Sequence, residues 1–452
     1  MGRNLVIFSD CCWQRTEYRS KKRQVPSNIS LAQQSLAPIS RNGREQLGYP
    51  ALSDASSSKV KRLARRLFGA GLKAEIFDAY SFLAHTYKPD DQIYMFGAGL
   101  GAFNLRRLVD MIDRVGLLLP EDIAGLADAF EYSQIPVEAL DTPAAQNISD
   151  RLDGRKIEIN FLGCLDTIGS YGLPTPGLNK ISQSWMMLHD HKINSNVSAA
   201  YQALALDEKR SRFRPGIWTG AQSPEIQAVE QVWFAGSHEN TVGGRRDSGL
   251  SDIALNWLLR RAEYHGLQID HNILDEFSAP DPGGKISNSK WRLLTAPLSL
   301  RKARYRPVGQ SSPGFADISC AEPEKLHETV LVRQKTVKKY SPHQLASLQA
   351  GAIPVFSERE EAIQNRRLHQ RFSGNWPAIL IDDEGKTSVS LIDYSQTGAR
   401  IWAAGSALSG TTYLLKSSLK FMNGLKSRVI WAKDGFIGLK FDVPLSAEHI
   451  AT

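Results

Sequence analysis

Three short stretches hold residue types that can do acyl-transfer chemistry together. Gly97-Ala98-Gly99-Leu100-Gly101-Ala102 is a turn of small residues between an apolar run, Gln92 to Phe96, and a helical pattern with Leu105, Leu108, Val109 and Ile112 on one face. Asp166 and His238 each follow a further apolar run, Ile157 to Leu162 and Val229 to Phe234. A strained strand-to-helix turn, then a carboxylate, then an imidazole is one of the chain orders in which nucleophilic triads occur. In a working triad the carboxylate orients the imidazole, which takes the proton of a nucleophile raised on the turn. The central position of this turn is Gly99, which brings no attacking oxygen.

Other chemistry is weaker in the same region. Gly97-x-Gly99-x-x-Ala102 also fits a dinucleotide fingerprint, which normally follows the first strand of a unit with an acidic residue ending the next; no clean equivalent of that arrangement is seen. Cys11 and Cys12 follow the strand pattern Leu5 to Phe8 and are candidate substitute nucleophiles, although nothing marks either as activated. His189-Asp190-His191 has two imidazoles at i and i+2 without further ligands, so no metal site is expected.

A second constellation lies near the end of the chain. Arg366-Arg367-x-x-x-Arg371 precedes a series of short strand patterns, and Asp393-Tyr-Ser395-Gln-Thr-Gly398 sits where the second passes to the third. Guanidinium forks pair with phosphate oxygens and stack on flat bases. A carboxylate such as Asp393 accepts from the guanine Watson–Crick edge, and Gly398 lets backbone approach a ligand closely. The set fits a guanine-containing, doubly charged small ligand.

The elements that must position these groups differ between the two halves. Up to about residue 350, strand patterns alternate with helical ones (Val60 to Phe68, Leu72 to Tyr87), which predicts an α/β unit with a mostly parallel sheet covered by helices. The stretch from Arg15 to Ser58 reads as polar and mobile, and 279–323, rich in Pro, Gly, Ser and basic residues, as irregular. Further on come closely spaced strands at Pro377 to Ile381, Thr387 to Ile392, Gly398 to Trp402, Thr412 to Lys416, Ser427 to Trp431 and Phe436 to Phe441. Strands without long intervening helices predict a small antiparallel barrel. The expected division is 1–352, a linker over 353–365, and 366–452.

Composition narrows the class. With 42% hydrophobic and 23% charged residues, the 452-residue chain has the balance of a globular protein, and no apolar run is long enough to predict a transmembrane segment. The four cysteines show no C-x-x-C spacing, and the expected compartment is cytoplasmic. The net charge of +8 is spread along the chain, densest at Lys59 to Arg66, and gives no strong nucleic-acid signal.

The motifs carry two resemblances. Asp10 to Gln14 resembles an F-S-D-G-T-W-N opening, the turn around Gly99 an F-G-F-S-R-G-A-F elbow, and Asp166-Thr-Ile-Gly-Ser-Tyr-Gly-Leu-Pro174 a W-D-T-V-G-x-Y-G-L-P stretch. Ala203-Leu-Ala-Leu-Asp-Glu208 with Arg210, Phe213 and Pro215, then Val232 to His238 and Gly249 to Trp257, continue in the same order. Together they resemble the α/β-hydrolase family that includes one class of bacterial type VI secretion phospholipase effectors. That resemblance implies that Gly99 stands at the serine nucleophile position, Cys11-Cys12 at a G-T near the oxyanion site, and Gln202 at a histidine. It leaves Asp166 and His238 as residual triad positions, so a pseudo-hydrolase is expected. Leu326 to Arg333 resembles the family's last conserved helix and is expected to be helical on that ground. The R-x-x-x-R and D-x-S-x-x-G motifs, with Trp431, Gly438 and Phe441 following, resemble a PilZ domain. This resemblance implies cyclic di-GMP as the ligand, held by Arg366, Arg367, Arg371, Asp393, Ser395 and Gly398. The expected protein is a cyclic di-GMP-binding signalling protein with an unidentified protein partner and no cofactor. The alternative is a lipase or esterase switched by the same nucleotide through a non-standard nucleophile.

Overall fold

The computed structural model describes residues 2–10, 25–51, 70–168, 193–210, 213, 215–218, 226, 228–287, 306, 308, 324–346, 354–357, 372–382, 385–395, 398–403, 412–419, 421–433, 436–443 and 445. The chain divides into two compact units, Met1–Phe356 and Ser357–Thr452.

The first unit is built on an eight-stranded sheet in the order β2-β1-β3-β4-β5-β6-β7-β8. The strands are β1 (Asn4–Ser9), β2 (Gln46–Pro50), β3 (Gln92–Ala98), β4 (Phe161–Leu165), β5 (Ala199–Ala205), β6 (Ala228–Phe234), β7 (Glu324–His327) and β8 (Val355–Phe356). Every neighbouring pair is parallel. The helices are α1 (Asn28–Gln34), α2 (Ala70–Thr86), α3 (Leu100–Val115), α4 (Leu126–Ser133), α5 (Pro143–Ser149), α6 (His238–Val242), α7 (Gly249–Tyr264), α8 (His271–Phe277), α9 (Glu328–Thr336) and α10 (His343–Ala346).

The central strands are largely apolar because both faces are covered. Alternation divides their side chains between two cores. Val6 and Phe8 of β1 and Tyr94 and Phe96 of β3 pack with α1 and α7, while Leu5, Ile7, Ile93 and Met95 pack with α2 and α3. Parallel strands all leave the sheet at one end, so the segments after β3, β4, β5 and β6 emerge side by side.

Several expectations need correction. The stretch read as polar and mobile contains α1 and β2. Ser27 accepts the Ser30 N–H at the start of α1, and Gln46 Nε2 donates to the carbonyls of Ala37 and Gln268, fixing β2 at the sheet edge. The strand read as Ile157 to Leu162 is displaced to Phe161–Leu165. Ahead of it, Asn160 meets Ile93 through its side-chain oxygen, which accepts the Ile93 N–H at 2.7 Å. The helix read from Leu326 starts at Glu328, because Leu326 and His327 finish β7. Val355 and Phe356, read as linker, pair with β7 as a short edge strand. The helix read at Val60 to Phe68 lies outside the described residues.

The second unit is a closed barrel in the order β10-β11-β14-β13-β12-β9. Its strands are β9 (Phe372–Asp382), β10 (Gly385–Ser395), β11 (Gly398–Trp402), β12 (Thr412–Ser417), β13 (Asn423–Lys433) and β14 (Phe436–Phe441), all antiparallel to their neighbours. Leu380, Leu391, Ile401, Leu415 and Leu439 fill its interior. β9 starts upstream of Pro377, where its first residue was expected. Pro377 sits just beyond the last β9 position paired with β12, Ala378 opposite Ser417, a place that tolerates a missing N–H.

Candidate active site

β3 ends at Ala98 and α3 begins at Leu100, so the chain turns on Gly99 alone. Gly99 has φ 54° and ψ −114°, a region that strains any L side chain. Its flanking glycines are required by contact. A Cβ on Gly97 would lie 2.5 Å from Ala102 Cα, and one on Gly101 would lie 2.2 Å from the Ser9 carbonyl oxygen. The Gly99 N–H donates to Leu165 O at 2.9 Å, and its carbonyl accepts from Phe103 and Ile168 N–H groups at 3.2 Å. The turn is thereby joined to the exit of β4, where Asp166 stands.

Asp166 is fully buried and holds a positive φ of 47°. Its Oδ1 accepts the Ala205 N–H at 3.0 Å, and its Oδ2 lies 2.6 Å from His238 Nδ1. A buried guanidinium completes the shell: Arg306 Nη1 donates to Oδ1 at 2.5 Å and Nη2 to Oδ2 at 3.0 Å. Burial alone would raise the Asp166 pKa. The Arg306 charge and the His238 contact outweigh it and hold the carboxyl well below the usual carboxylate range. Arg306 also donates to the carbonyls of Ala205 and Phe213, so it fixes the segments after β5 as well as the carboxylate.

His238 is the first residue of α6, whose start is set by Ser237 donating its N–H and Oγ–H to Asn240 Oδ1. The His238 N–H donates to Glu208 Oε2 at 3.2 Å. Glu208 is buried, and Arg210 grips it through Nε and Nη2, both at 2.8 Å. Burial pushes the Glu208 carboxyl up, but the Arg210 bonds bring it below its ordinary value. The Arg210 guanidinium lies 3.7 Å above the Phe213 ring, whose own centroid is 5.1 Å from that of His238. Phe213 packs against Leu100, Phe103 and Ile168, a small apolar cluster that includes the first turn of the elbow helix.

Asp166 can orient the His238 ring and favour the tautomer with hydrogen on Nδ1. Because Arg306 already compensates its charge, Asp166 stabilises an imidazolium less than a carboxylate facing the imidazole alone. Asp166 meets His238 directly, and Gly99 is joined to the exit of β4 through Leu165 and Ile168. Arg306 and the anchoring role of Glu208 are not evident from the sequence.

Gln202 is buried within β5, where Thr167 donates to its Oε1 and its Nε2 donates to Gly216 O at 3.0 Å. It secures the segment around Gly216. Asp393 and Ser395 lie in the last part of β10, and Gly398 opens β11 opposite Ser395. A Cβ on Gly398 would lie 2.3 Å from Leu439 O, so barrel packing itself requires this glycine. Cys11, Cys12, His189 to His191, Arg366, Arg367 and Arg371 lie outside the described residues. Among the described residues no group of side chains is placed to hold a metal, and no helix is long and apolar enough to cross a membrane. Cys164 is buried, and burial pushes its thiol up to about 11.

A parallel sheet with a strand-to-helix elbow after β3, a carboxylate at the exit of β4 and a histidine at the exit of β6 has the arrangement of a hydrolase-like unit. The chain belongs to the type VI secretion system Tle1-like phospholipase effector family, whose catalytic domain matches residues 3–261. The uncharacterized protein YEL023C of Saccharomyces cerevisiae is 29% identical over 184 residues, 38% of this chain and 26% of the yeast protein. A solved structure of an uncharacterized protein from Pseudomonas aeruginosa aligns with 15% identity and a TM-score of 0.37, covering 62% of this chain and 49% of that one. The Tle1 effector bound to the VgrG spike of the type 6 secretion system aligns with 14% identity and a TM-score of 0.31, covering 55% and 52%. The chain thus spans about a quarter of the yeast relative and about half of each solved chain.

Proposed function

We propose that this chain is a cytoplasmic cyclic di-GMP receptor whose hydrolase-like unit has lost its nucleophile and serves to bind rather than to turn over. The observation that carries the first part is the paired motif. R-x-x-x-R (Arg367, Arg371) precedes a six-stranded closed barrel, and D-x-S-x-x-G (Asp393, Ser395, Gly398) spans its β10–β11 hairpin. Arginines supply forks for the phosphates and surfaces for the bases, and Asp393 is the acceptor for a guanine edge. Arg366 is an additional contact. Gly99 supports the second part, since a triad without its attacking atom loses nearly all of its rate enhancement.

The test is hydrolysis of short-chain and phospholipid esters by the purified full chain, with and without cyclic di-GMP. No turnover above background is expected in either condition. Robust turnover that disappears in His238→Ala would instead favour a nucleotide-switched ester hydrolase. That second reading has one specific support, the intact 2.6 Å contact between His238 and Asp166, which would orient a base for water activation.

A further inference from the structure

The outer surface of the barrel carries a pattern that neither the nucleotide site nor the fold requires. Residues paired across a β ladder point to the same face, so the strand registers define rows of neighbouring side chains. One row runs across four strands as Lys386, Ile381, Leu414 and Lys426, an aliphatic pair flanked by two lysines. The adjoining row pairs Ile379 with Lys416, and on the other side Arg428 pairs with Lys440. Leu414 is 41% exposed and Ile379 39%, and the five cations are exposed as well. Trp402, 41% exposed, extends the apolar part through Ser390 and Pro377, in the row beyond Ile379.

The ordinary explanations do not account for this surface. Lysines commonly blunt the open edges of sheets, but a closed barrel has no edge to protect. Single exposed aliphatic residues are unremarkable, whereas here they adjoin one another and are bordered by cations. Among the described residues Asp442 approaches Lys426 and Arg428, at 3.9 and 4.0 Å.

We propose that this barrel face docks on an anionic lipid surface. Aliphatic side chains flanked by lysines and bordered by an exposed indole match the interface of such a bilayer. The apolar groups enter the headgroup–acyl boundary, the cations meet lipid phosphates, and tryptophan favours the boundary itself. A nucleic acid would be met by cations and stacking rings, leaving Ile379, Ile381 and Leu414 without a role. This docking goes beyond nucleotide recognition: its surface centres on Ile379, Ile381, Leu414, Lys416 and Lys426 and reaches the β10–β11 hairpin at Trp402 and at Lys440, which pairs with Gly398.

The experiment is flotation of the full chain with vesicles of phosphatidylcholine containing about 30% phosphatidylglycerol, with pure phosphatidylcholine as control. The parent should float with the anionic vesicles and not with the neutral ones. Lys416→Ala combined with Lys426→Ala should weaken binding about 30-fold, as two interfacial cations are removed. Ile379→Ser combined with Leu414→Ser should weaken it about 10-fold at unchanged surface charge. All four positions are surface sites, and an unchanged circular dichroism spectrum separates lost binding from lost fold. Equal flotation with neutral vesicles, parent-like binding by either double variant, or binding to single-stranded nucleic acid that is insensitive to the Ile379/Leu414 change would overturn the proposal.

Discussion

His238 Nδ1 stands 2.6 Å from Asp166 Oδ2, while both oxygens of that carboxylate are held by Arg306. The histidine therefore shares its orienting group with a buried, permanent cation. A carboxylate in a working triad supports positive charge on its imidazole, and here much of that support is already used. Arg306 also ties the pair to the carbonyls of Ala205 and Phe213.

Removing the cation should expose the burial penalty. Arg306→Met should destabilise the first unit by about 3 to 5 kcal/mol, because Asp166 remains buried without its main partner. Urea unfolding at pH 7 measures this, and a loss below about 1 kcal/mol would contradict the assigned role.

The same pair fixes a pH dependence. The folded-state pKa of Asp166 is depressed, so its contribution is present above its unfolded pKa and is lost as pH falls toward the folded value. Unfolding free energies should fall as pH drops below about 4, the unfolded aspartate value. In Arg306→Met the main lowering influence is removed and burial raises the folded-state pKa of Asp166, so the acid-side decline seen in the parent should be diminished or reversed. Coincident pH profiles for the two proteins would remove Arg306 as the cause.

The elbow should resist both filling and rescue. Gly101→Ala places a Cβ against Ser9 O, and a cost of about 1 to 3 kcal/mol is expected in thermal or urea unfolding. Gly99→Ser should cost about 1 to 3 kcal/mol through its backbone angles, and should restore little ester hydrolysis, because the serine would need both the strained elbow geometry and a competent oxyanion site. Efficient hydrolysis by Gly99→Ser would show that the remaining site is catalytically complete.

The legible parts of the sequence are those where a local pattern meets a fold-wide requirement. The turn at Gly99, Asp166 and His238 could be read because each follows an apolar run, and strand exits in a parallel sheet converge. The barrel strands show the alternation of a one-sided surface, clearest in β12, where Tyr413 and Leu415 point inward and Leu414 and Lys416 outward. β5 was hidden by its composition: its Ala-rich sequence carries Gln202 at a fully buried position, tolerated because Thr167 and Gly216 satisfy the amide. Arg306 lies in a stretch without periodicity, and its importance arises from contacts more than ninety residues away, which no spacing rule encodes.

The most direct test of the central claim is calorimetric titration of the full chain with cyclic di-GMP. Saturable heat is expected, with affinity reduced by about 2 to 5 kcal/mol in Arg367→Ala and in Arg371→Ala if each arginine pairs with phosphate in the complex. Absence of binding by the parent, or titration curves for both variants that match the parent, would contradict the receptor reading.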